Sequence, residues 1–203
     1  MLTSEPTPSA RFPARIGAVV IGGSAGAIDA LEEILPRLPA STPWPVFVVV
    51  HVAPHPPSLL PSLFGRRCAL PVREPADKEL VMPGIWFAPA DYHLLVERGG
   101  TFSLSVDAPV NHSRPSLDVL FESAADAYGS GLVCIVLTGA SGDGANGAKA
   151  VRDAAGLVIA QDPATAEAAM MPAETIARAR PQWIARPAAI GEALRGAALR
   201  STT

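Results

Sequence analysis

The chain is short of charge, aromatic rings, cysteine and long apolar runs, and each shortage closes off a class of protein. Charged residues make up 17% of the 203 positions and apolar ones 49%. A chain so poor in charge and so rich in aliphatic carbon folds rather than staying disordered. Sixteen basic against 19 acidic residues leave a net charge of −3. No basic face offsets phosphate repulsion, so nucleic acid is excluded as a partner. The longest apolar runs, VFVVV at 46–50 and LVCIVL at 132–137, fall far short of the roughly 18–20 residues a membrane span needs. The chain is therefore expected not to be membrane-inserted. Its two cysteines, Cys68 and Cys134, form no CxxC pair and no disulfide framework, which suits a reducing cytoplasm. Cys134, inside an apolar run, reads as a buried thiol.

What the chain has in excess is turn-forming residues, 21 prolines and 17 glycines. They fall between apolar runs and so mark turns in a tightly segmented fold. Residues 1–15 carry prolines and arginines without an apolar stretch. They read as a flexible arm, not a secretory signal, and leave 16–203 as one domain of ordinary size. Four apolar runs set its rhythm, each leading through a turn into a helix-like stretch: IGAVVIG (16–22), VFVVV (46–50), LVCIVLT (132–138) and LVIA (157–160). Fully apolar strands alternating with helices predict an α/β fold with a doubly wound, mostly parallel sheet in three layers. Residues 92–106 break the rhythm. They alternate with period two about Gly99-Gly100 and predict an inserted antiparallel hairpin. Helical spacing resumes over 116–129.

In doubly wound sheets ligands gather at the carboxyl ends of the strands, so reactive residues there carry the most information. The first apolar run ends in Gly22-Gly23-Ser24-Ala25-Gly26, a G-x-S-x-G turn that exposes a hydroxyl beside a helix N-terminus. The second ends in His51, and the third leads into LTGASGDGANG, which carries Asp143. Each alone has a plain structural explanation: helix caps for Ser24 and Asp143, a structural hydrogen bond for His51. Together they supply a nucleophile, a general base and an orienting acid. The order Ser, His, Asp differs from the α/β-hydrolase, chymotrypsin and subtilisin orders.

Six ordered segments narrow the reading: VVIGGSAGAIDAL, VVVHVAP, PGIWFAPADYHLLV, NHSRPSLDVLF, VLTGASGDGANGA and IAQDPATA with MMPAE. In that order they resemble the motifs of the chemotaxis protein-glutamate methylesterase (CheB-type) catalytic domain, over about residues 16–195. The resemblance implies a catalytic triad of Ser24, His51 and Asp143, the residues that the strand ends also select. It implies hydrolysis of glutamate γ-methyl esters, often with deamidation of glutamine, on the helical cytoplasmic domains of methyl-accepting chemotaxis receptors. Methanol leaves through an acyl-enzyme, with no cofactor and no metal.

Two departures bear on the oxyanion. Some members have a hydroxyl residue where this chain has Ala25, and many have methionine where it has Ala140, so backbone N–H groups at these positions are the expected donors. His112, Arg114 and Met171 are expected to line the substrate cleft, and His93 to serve a structural role. Family members commonly carry a phosphorylatable receiver domain ahead of the catalytic one, and fifteen residues are too few to fold as one. A separate receiver or other regulator is therefore the expected partner. Two other readings stay open. Gly142–Gly147 fits a dinucleotide fingerprint, and a domain of this type can act as a non-catalytic receptor-binding module. His51 and His55 have the spacing of a helical zinc pair, but Pro54, Pro56 and Pro57 forbid a helix there.

Overall fold

In β1 (Ala18–Gly23) every residue is buried, because alternate side chains enter two different cores. Val19 and Ile21 face one, Ala18 and Val20 the other. A strand covered on both sides has no reason to alternate polar with apolar, which explains its uniformly apolar sequence. β2 (Pro45–Val50) and β7 (Leu132–Val136) flank it, both parallel to it and both fully buried. The computed structural model describes residues 12–51 and 59–201. Most of the expected arm, the loop at 52–58 and His55 lie outside the described residues.

The sheet continues through β4 (Gly84–Phe87) and β3 (Val72–Arg73) on one side, and through β8 (Leu157–Gln161) and β9 (Trp183–Ala185) on the other. Its order is β3-β4-β2-β1-β7-β8-β9 and every neighbouring pair is parallel. The hairpin, β5 (His93–Val96) and β6 (Phe102–Ser105), forms a separate antiparallel sheet. Helices α1 (Ala27–Ile34), α2 (Leu60–Gly65) and α6 (Pro187–Arg200) share one core, while α3 (Leu117–Tyr128), α4 (Ala145–Asp153) and α5 (Met170–Ala179) share the other with the hairpin. This is the doubly wound three-layer architecture that the apolar runs predict.

Three strands and one helix go beyond the four sequence units. β3, β4 and β9 have two, four and three residues, too few to show a period. They are held by the sheet itself and, at the β3 edge, by the Arg73 guanidinium stacked 4.2 Å over the Trp86 ring. α6 is rich in alanine and glycine because it packs very closely on α1. A Cβ on Gly191 would stand 2.8 Å from the Glu33 carbonyl oxygen.

The chain runs outward from β1 on one side and returns to β7 on the other, so the topological switch lies at the β1–β7 carboxyl ends. Such a point is where doubly wound sheets open a crevice. α3 reaches it because β1 and α4 present no side chains in its way. Cβ atoms on Gly22 and Gly144 would lie 2.3 and 2.9 Å from Leu117 Cδ2, and one on Gly147 would lie 2.7 Å from Phe121 Cβ. The glycines of two separate motifs thus admit one helix end to the switch point.

Candidate active site

Strand register decides which side chains meet at the switch point. β1 and β2 pair Gly22 with Val49 and Gly23 with Val50, and the His51 N–H continues the ladder to Gly23 O at 3.2 Å. Ser24 and His51 are therefore neighbours across adjacent strands, which lie about 4.8 Å apart. Ala18, Val20, Phe47 and Val49 face the α3 core, so the period of two carries Ser24 and His51 to that same face. Past Ser24 the chain turns sharply. Gly26, with φ +77°, precedes α1, and Ala27 N–H donates to Ser24 O at 2.9 Å. Ser24 N–H donates to Thr138 O at 2.9 Å, locking the turn to the loop after β7. Its hydroxyl makes no hydrogen bond among the described residues.

Asp143 is fixed far more firmly. Its side chain is fully buried and its two oxygens collect donors from four directions. His51 Nε2 lies 2.9 Å from Oδ2, and Leu117 N–H reaches the same oxygen at 2.7 Å. Oδ1 accepts from Ser116 Oγ at 2.8 Å, Asn111 Nδ2 at 2.9 Å and, more weakly, Asp118 N–H at 3.4 Å. Leu117 and Asp118 begin α3, so Asp143 caps that helix from another loop and sits at its positive end. Burial alone would raise the Asp143 carboxyl. The bonds from His51, Asn111, Leu117 N–H and Ser116 outweigh it and hold the group below the ordinary aspartate value. A carboxylate only accepts, so His51 Nε2 carries the hydrogen and Nδ1 of the neutral ring is the acceptor nitrogen. Ser113 Oγ is 3.4 Å from that Nδ1.

The remaining expected residues take different places. Ala25 and Ala140 are exposed at the rim of the switch point. Neither N–H has a protein acceptor among the described residues. Thr138 Oγ1 donates to Ala25 O at 2.8 Å and accepts from Ala168 N–H at 2.9 Å, bracing the turn after Ser24. His112 and Arg114 line a cavity of about 380 Å³ with His51, Ser113 and Pro115. The Arg114 guanidinium is already committed to Asp91 and to the Val106 and Asp107 carbonyls. Met171 departs from the sequence expectation. It is fully buried and would touch a Cβ on Gly139 at 2.7 Å, so it backs the loop after β7 and does not line the cleft. His93 is buried, accepting from Ser116 N–H and bonded to Ala108 O. A pyrophosphate would sit on the free N–H groups of a helix N-terminus, but in the first turn of α4 Gly147 N–H donates instead to Asp118 Oδ1 at 2.7 Å. That bond and the buried carboxylate beside it work against the dinucleotide reading.

Sequence reasoning missed Asn111, Ser116 and Thr138. Their one signal was membership in the NHSRPS and LTG segments, and nothing in those strings says that they converge on other loops. Among the described residues no group of three His, Cys, Asp or Glu side chains could hold a metal ion. No helix among them is long and apolar enough to cross a membrane.

A doubly wound parallel sheet with a serine turn, a histidine and a buried carboxylate at its carboxyl ends has the architecture of a serine-hydrolase class of enzyme. The model of the CheB methylesterase family matches residues 19–194, and the chain belongs to that family. A relative in Leptospira interrogans is 42% identical over 160 residues, covering 78% of this chain and 83% of its own length. A protein-glutamate methylesterase/protein-glutamine glutaminase of Rhodospirillum rubrum is 40% identical over 78% of this chain, which matches 45% of that longer protein. The crystal structure of the Thermotoga maritima CheB methylesterase catalytic domain superposes with a TM-score of 0.82 at 34% identity, over 91% of this chain and all of that one.

Proposed function

We propose that residues 16–203 form a catalytic domain that hydrolyses glutamate γ-methyl esters on receptor helices, and by the same route deamidates glutamine. The observation that carries this reading is the 2.9 Å bond between His51 Nε2 and the buried Asp143 carboxylate, beside a serine whose hydroxyl has no competing partner among the described residues. Ser24 Oγ attacks the ester carbonyl carbon while His51 Nδ1 takes its proton, and Asp143 stabilises the imidazolium that forms. The N–H groups of Ala25 and Ala140 receive the negative charge that develops on the carbonyl oxygen. The tetrahedral intermediate then collapses, and His51 returns the proton to methoxide so that methanol leaves. Water, deprotonated by His51, attacks the acyl-enzyme and releases the carboxylate and Ser24. With glutamine the leaving group is ammonia. His112 and the Arg114–Asp91 pair form one wall of the cleft that admits the substrate side chain.

The substrate class follows from the resemblance and from the names of relatives that act on protein glutamate and glutamine. Receptor cytoplasmic domains are the corresponding partner, and the cytoplasm the corresponding compartment. Methanol release from a methylated receptor cytoplasmic fragment tests the reading. The wild-type chain should release methanol, and Ser24→Ala should lose about ten-thousand-fold of that rate with its melting temperature unchanged. Wild-type turnover in Ser24→Ala would overturn the mechanism. No release by the wild type, with binding retained, would leave a non-catalytic receptor-binding module.

A further inference from the structure

Asn111 lies outside the triad, yet its side chain joins the two buried carboxylates of the site. Val110 and Ser113 exchange backbone hydrogen bonds of 3.1 and 2.9 Å across a two-residue turn. Asn111 and His112 fill that turn at φ +49° and +64°. Asparagine is among the few residues besides glycine that accept this left-handed backbone readily. The turn aims the amide inward. Nδ2 is 2.9 Å from Asp143 Oδ1 and 2.9 Å from Asp118 Oδ2. An amide nitrogen has two hydrogens, and both are used. Reversing the amide would set its oxygen against two carboxylates, so its orientation is fixed.

Asp118 is itself anchored, accepting from Gly147 N–H at 2.7 Å and from Asn146 Nδ2 at 3.4 Å. We propose that Asn111 is a positioning residue for the reaction, holding Asp143 against His51 and screening it from Asp118. The inference rests on the hydrolytic reading above. Among the described residues the other titratable or charged groups near Asp143 and His51 include Glu122 on α3, His93 on β5 through Ser116, Arg178 on α5 through Asn146, and Asp91, His112 and Arg114 in the cavity that His51 lines. Asn111 is the one donor among the described residues that spans both carboxylates. Without its amide, Asp143 Oδ1 loses one of its two close donors and meets Asp118 unscreened. More of the carboxylate's charge then falls on the Nε2–H side, and the imidazolium keeps its proton to higher pH.

The test is the pH dependence of kcat/KM for methanol release by the wild type, Asn111→Gly and Asn111→Asp. Glycine suits the left-handed turn, so Asn111→Gly removes the amide and spares the backbone. Its acid limb should move up by about half a pH unit or more, with kcat falling about tenfold as the ring loses alignment. Asn111→Asp puts a third carboxylate beside the other two and should move the limb further in the same direction. Lowered rates with the acid limb in its wild-type position in both variants would overturn the proposal and leave Asn111 as a turn former. A wild-type profile with no acid limb would instead contradict His51 as the base, and this inference would fall with it.

Discussion

Ser24 and Asp143 follow neighbouring strands, yet the protein holds one loosely and the other tightly. Among the described residues Ser24 is fixed through its backbone, to Thr138 O and Ala27 N–H, and its hydroxyl makes no hydrogen bond. Asp143 is fully buried and receives bonds from His51, Asn111, Ser116 and the first turn of α3. The contrast matches what the proposed mechanism asks of each. A nucleophile has to swing its oxygen onto a carbonyl carbon, so its turn is braced while its side chain stays free. An orienting acid has to keep its charge in one place, and fixed donors achieve that without reorganisation during the reaction.

The largest expected break in this contrast is Asp143→Asn. It leaves the shape unchanged but turns one oxygen into a donor, facing groups that already donate. Methanol release should fall about a thousand- to ten-thousand-fold. Stability should respond as well, because the folded chain holds the Asp143 carboxyl below its unfolded value. Such a group contributes stability above the ordinary aspartate range, and the contribution is lost as pH falls through the lower, folded value. Urea midpoints of the wild type should drop on acidification below about pH 4, and those of Asp143→Asn should start lower and fall less. An equal acid slope in both chains would assign the loss to other carboxylates.

Gly147→Ala attacks the same region through packing. Its Cβ would stand 2.7 Å from Phe121 Cβ and 3.0 Å from the Asp118 carbonyl oxygen, so α3 must shift away from α4. A loss of about 1–3 kcal/mol is expected in urea unfolding, with a drop in activity as the α3 N–H groups leave Asp143. The smallest effect belongs to Gly142→Ala, five residues earlier. There the nearest atom a Cβ meets is Glu174 Cγ at 3.7 Å, an ordinary contact. A change within about 0.5 kcal/mol is expected. Equal losses at both positions would mean that the loop as a whole requires glycine, and not that α3 needs room.

The strongly β-branched strands β1, β2, β7 and β8 were legible in the sequence because burial on two faces writes an uninterrupted apolar run. β3, β4 and β9 were not, since two to four residues define no period and the strands exist through their neighbours. α6 was hidden for another reason: close packing on α1 selects alanine and glycine, which weakens any apolar stripe. At the site, Ser24 and His51 stood out because each follows directly from a strand end, and Asp143 because the glycine-rich loop after β7 carries it. Asn111, Ser116 and Asp118 did not, because their meaning depends on α3 arriving over Gly22. The cap reading of Asp143 contained part of the answer. The carboxylate does cap a helix, but it is α3 from another loop and not α4, which follows it in the chain.

The central claim is that Ser24 carries the acyl group while Asp143 stays rigid behind His51, and covalent trapping tests it most directly. A phosphonofluoridate that mimics the tetrahedral intermediate should add once to the chain, and peptide mapping should find the adduct on Ser24. Asp143→Asn should slow that addition by a factor comparable to its loss of turnover. An adduct on Ser113, whose hydroxyl lies 3.4 Å from His51 Nδ1, or no adduct on a chain that still releases methanol, would contradict the account.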